Sequence, residues 1–104
     1  MKQLTVSDAD GKKYTLEYSK NSIMHMERQG FNINELDSKP VMMITMLVQG
    51  AFLKNHSSIK AEKVEEIYES LKNKEGFLNK LMEMYREQGD ELVDEGNADW
   101  EANW

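Results

Sequence analysis

His25 and His56, the Ser57-Ser58 pair and the carboxylates Glu62, Glu65, Glu66 and Glu69 are the side chains here whose types serve acid–base, nucleophilic or metal chemistry. The two histidines stand far apart and neither has a second ligand at metal-binding spacing, so each reads as a surface or helix-end residue. Ser57-Ser58 lacks the strand–turn–helix context of an activated nucleophile, and helix capping accounts for it. The four glutamates follow a helical period and form a solvated face rather than a catalytic pair. No glycine loop is spaced to cradle phosphate. The sequence therefore predicts no enzyme, no metal and no cofactor.

Two other groups invite a binding role. Met42, Met43 and Met46, with Phe52, lie in VMMITMLVQGAFL, the most apolar stretch of the chain. Methionine fills irregular core gaps, and it also suits surfaces that adapt to partners. Both tryptophans, Trp100 and Trp104, fall in the last five positions. They can fold back onto the domain or anchor another protein. Their setting favours the second. Residues 1–89 carry as many basic as acidic side chains, so the whole net charge of −6 sits in 90–104, where Asp90, Glu91, Asp94, Glu95, Asp99 and Glu101 have no cation among them. Like charges oppose compaction. Met42, Met43, Met46, Phe52, Trp100 and Trp104 are thus the candidate partner-binding residues.

The elements that position them follow from periodicity. Leu4 and Val6, then Tyr14, Leu16 and Tyr18, alternate with polar residues across an Asp10-Gly11 turn signal, which predicts a β-hairpin over 3–18. A helix over about 20–29 starts at a Ser19 or Asn21 cap and ends at Gly30, with Phe31 folding back toward Met26. Asp37 as cap and Pro40 in the first turn predict a second helix, 39–55. It is apolar nearly all round and so central, with Gly50 permitting a close helix approach. Ser57-Ser58 caps a third, 59–72, and after Asn73 a fourth runs over 75–88 until Gly89. The fold class is mainly α (α+β): an N-terminal hairpin followed by about four helices around a central apolar helix. Residues 1–89 form one domain and 90–104 an acidic tail.

At 104 residues the chain can bury a core without staples, and with no cysteine it has none. The 13-residue apolar stretch is short of the roughly 20 a membrane span needs, and the N-terminus has no export signal. No basic patch would neutralise phosphates, so nucleic acid is disfavoured. A soluble protein of a reducing compartment is expected, with neither membrane nor nucleic acid as partner, and an apolar helix with few covering elements suggests homo-oligomers.

The order of segments carries a resemblance. YTLEY, then MERQGFNINEL, KPVMMITMLVQGAFLKNH, EKVEEIYESL and the closing EGNADWEANW resemble small tail-module proteins of phages and prophages of Gram-positive bacteria, similar to the tail assembly chaperones of long-tailed phages. The similarity covers nearly the whole chain. The resemblance implies a small, mostly helical, non-enzymatic protein that binds the tape-measure protein, keeps it soluble and helps recruit tail-tube subunits. It implies a place in the host bacterial cytoplasm and absence from the mature virion. Two readings from other classes stand beside it. One is a structural head–tail or tail completion protein of the virion. The other is an acidic inhibitor or nucleic-acid mimic, which the neutral body of residues 1–89 disfavours.

Overall fold

Alternation of apolar and polar residues folds the N-terminus into two antiparallel strands, β1 (Leu4–Ser7) and β2 (Lys13–Leu16), in a computed structural model that describes residues 2–104. Leu4 faces Leu16 and Val6 faces Tyr14, so the apolar members share one side. The turn is held by Asp8, whose Oδ1 accepts the N–H groups of Asp10 and Lys12 at 2.9 Å, and Gly11 takes the positive φ of +81° that the reversal needs.

Ser19 caps helix α1 (Lys20–Arg28) in a reciprocal box with Ser22. Its end is a Schellman turn: the Phe31 N–H reaches the Met26 carbonyl and the Gly30 N–H that of Glu27, with Gly30 at φ +102°. After a 3-10 turn, Ile33–Glu35, comes α2 (Pro40–Phe52). Helix α3 spans Ala61–Ser70 and α4 spans Lys74–Glu91. Helix α2 touches β2, the 3-10 turn and all three other helices. Its Met43, Leu47, Ala51 and Phe52 meet Leu16, Tyr18, Val64, Ile67 and Leu81 in one buried core. The architecture is therefore a hairpin followed by four helices around a central apolar one.

Several boundaries differ from expectation, each for a physical reason. Lys39, not Asp37, is the N-cap of α2, because Pro40 excludes the residue before it from helical geometry. Helix α2 stops at Phe52 rather than 55, because residues 53–56 turn toward β2. Ser57-Ser58 caps nothing: α3 starts after Lys60 with no side-chain cap and ends at Ser70, inside the expected 59–72. Gly89 does not end α4, which continues to Glu91, since one exposed helical glycine costs only about 1 kcal/mol. Asn73 does start α4. It adopts a left-handed φ of 50° and its side-chain oxygen accepts the Gly76 N–H. Gly76 leaves room there for the Asn73 amide, which a Cβ would strike.

Candidate partner-binding groove

The outer face of α2 is built by its own sequence. Met43, Leu47 and Ala51 recur at helical spacing and point inward; Val41, Ile44 and Val48 recur on the adjoining face. Val41 is 83% exposed and Met42 60%. Between α2 and the 3-10 turn on one side and α4 on the other lies a hollow of about 470 Å³, walled by Ile33, Leu36, Ile44, Leu78 and Met82, with Asp37 and Arg86 as its charged members. Between α2 and α3 lies a smaller one of about 250 Å³ with Val48, Val64 and Tyr68, flanked by Glu65 and Glu69. Ile44 lines both, so the two adjoin along α2 as one apolar groove with polar margins.

The candidate residues divide sharply. Met43 and Phe52 are each 1% exposed, which makes them core and corrects their assignment to a partner surface. Met46 is half-buried and packs against the core. Met42, Trp100 and Trp104 are exposed, and residues 91–104 are exposed throughout, so the tryptophans do not fold back. The structure does not bring the tail and α2 together into one site. The sequence reading missed Ile44 and Leu36. For Ile44 the signal was present in the second apolar stripe of α2, offset from the inward one; Leu36 lies outside any periodic element.

Asn55 and His56 hold the hairpin to this helix. The Asn55 amide donates to the Thr15 carbonyl at 3.2 Å and to Glu17 Oε1 at 3.0 Å. His56 Nε2 accepts the Thr15 N–H at 3.1 Å, so the neutral ring carries its proton on Nδ1. The Glu17 N–H reaches the Ala51 carbonyl. The end of α2 thus satisfies the outer edge of β2 as a third strand would. Glu17 is buried, and the Asn55 bond foremost, then Gln3 and the Lys54 ammonium at 3.2 Å, holds its carboxyl below the usual range against the opposing effect of burial. Tyr18, also buried, is pushed far above the usual phenol range by desolvation. Burial and then the Glu27 carboxylate, which accepts its hydroxyl proton at 3.1 Å, push Tyr85 up to about 12.

Among the described residues no group of acidic, histidine or cysteine side chains could hold a metal, and no helix is long and apolar enough to cross a membrane. The arrangement presents apolar side chains of α2, α3 and α4 along one open groove. No curated protein and no solved structure matches the chain. A family model described as a domain of unknown function, DUF5055, matches residues 1–104. The match takes in the hairpin, the groove and the exposed tail together, and the chain belongs to that family.

Proposed function

We propose that the protein is a binding protein of the tail-assembly-chaperone kind, which shields the apolar helical face of a tape-measure protein before tail assembly and helps recruit tail-tube subunits. The observation that carries the reading is the apolar groove along α2, left open between α3 and α4, with Ile44 in both of its halves. An amphipathic helix laid in such a groove buries its i, i+3 and i+4 side chains against Ile44, Leu36 and Met82. The resemblance of the segment order to tail-module proteins supplies the partner's identity.

Co-expression with the tape-measure and tube proteins of a tail module, followed by pull-down, tests this. Wild type should hold the tape-measure protein in the soluble fraction. Ile44→Asp should release it, and melting curves of the isolated variant verify that it still folds. Mass spectrometry of purified virions should find no copy of the chain; finding it there at fixed stoichiometry would favour the structural completion protein instead.

A further inference from the structure

The hairpin tip and the loop from α2 to α3 enclose a second kind of hollow, about 480 Å³, away from the groove. Lys12, Lys60 and Lys63 stand around Tyr14, His56 and Ile59, and no carboxylate lines it. Lys63 is engaged from outside by Asp8 at 3.4 Å and Glu66 at 3.8 Å. The Lys12 ammonium lies 5.3 Å from the Tyr14 ring centre. Lys12 and Lys60 are exposed and neither forms an ion pair among the described residues. Tyr14 itself is buried, its hydroxyl donating to Asp8 at 3.3 Å, so the open wall of the hollow is Ile59 and His56 beneath Lys12 and Lys60.

The opposite pattern occupies the C-terminus. Asp99-Trp100-Glu101 sets an indole, 85% exposed, between two carboxylates in a segment with no cation. An exposed tryptophan flanked by acids complements a hollow rimmed by lysines, with Ile59 and the His56 ring in its wall. We propose that this hollow receives the segment 94–104 of a second copy of the chain, with Trp100 against Ile59 and His56 and its flanking acids against Lys12 and Lys60.

A second copy is favoured over the chain's own tail by shape. Lys2, at the open end of the hairpin, is bound to Glu83 at 2.7 Å and lies 3.7 Å from Glu87, so the C-terminal half of α4 lies at that end and the hollow lies at the tip. The chain measures 58 × 31 × 25 Å, and its radius of gyration of 15.8 Å exceeds the roughly 13 Å of a compact chain this long. The exposed tail therefore extends the molecule rather than doubling back. Each copy offers one tail and one hollow, a head-to-tail contact that can propagate or close. This association is independent of what the α2 groove holds.

Two full-length variants test it. Trp100→Ala/Trp104→Ala keeps the hollow and disables the tail; Lys12→Glu/Lys60→Glu keeps the tail and reverses the hollow. Melting curves verify that both fold, and Lys12→Gln/Lys60→Gln serves if the reversed pair does not. Light scattering of wild type at high micromolar concentration and low salt should show two or more copies, reverting toward monomer in high salt. Each variant alone should associate about tenfold more weakly or worse. Mixed, they should form a 1:1 heterodimer that grows no further, with a blue shift of the tryptophans carried by the lysine variant. Association of either variant at wild-type strength, or no complex in the mixture, overturns the proposal. So does a wild type that stays monomeric, whether its indoles are exposed or already shielded by its own body.

Discussion

Met26 lays its thioether on the bare backbone of Gly50, where a Cβ would collide with its side chain. This contact joins α1 to α2 and explains a glycine inside the last turn of α2. Gly50→Ala gains about 1 kcal/mol of helix propensity but must displace a methionine that is itself buried. A net loss of about 1–3 kcal/mol in urea unfolding is expected from the overpacking. Adding Met26→Ala should cost less in the Gly50→Ala background than in wild type, since the two positions share one space.

The Tyr18 hydroxyl donates to the Leu47 carbonyl at 2.6 Å inside the core, pinning the end of the hairpin to the middle of α2. Tyr18→Phe should lower stability by about 1 kcal/mol. Leu47→Ala, at a side chain 1% exposed, should cost about 2–5 kcal/mol. A loss under about 1 kcal/mol for Leu47→Ala is incompatible with α2 as the central element.

Glu17 gives the fold an acid-sensitive joint. Its carboxyl titrates below the ordinary glutamate value of 4.5, so the unfolded chain takes up the proton more readily than the folded one. Stability from this group is present above pH 4.5 and is lost as the pH falls through its lowered folded value. Urea midpoints of wild type should drop over that range, and those of Glu17→Gln should drop less steeply.

Deleting residues 94–104 should shift the unfolding midpoint of the dilute protein by no more than about 0.5 kcal/mol, because the segment is exposed throughout. In the dilute full-length protein acrylamide should quench Trp100 and Trp104 as it does free indole. Shielded indoles together with a large drop in melting temperature would return the tail to the fold.

What could be read from the sequence was what neighbours in the chain decide. The Asp10-Gly11 turn, the Gly30-Phe31 ending of α1 and the Asn73 start of α4 each depend on a few adjacent residues, and each was legible. The centrality of α2 was legible too, since no helix so apolar can sit in water. Which of its faces stays open was not. An all-round apolar helix gives no internal reason why Met43 and Phe52 are covered and Val41 is not; that depends on where α3 and α4 arrive. Ser57-Ser58 misled for a related reason. Asn55 and His56 commit the loop to Thr15, some 40 residues earlier, and the serines are used up in the turn that results.

That commitment also sets an order of events during synthesis. The hairpin leaves the ribosome before α2, yet the groups that satisfy its outer edge and cover its apolar side belong to α2 and the residues just after it, and a two-stranded hairpin alone is marginal in water. At translation rates of about 5–20 residues per second, the roughly 40 residues between Thr15 and His56 take about 2–8 s to appear. For that interval the hairpin lacks the groups of α2 and its following loop on which it docks, so it settles only after they have been made.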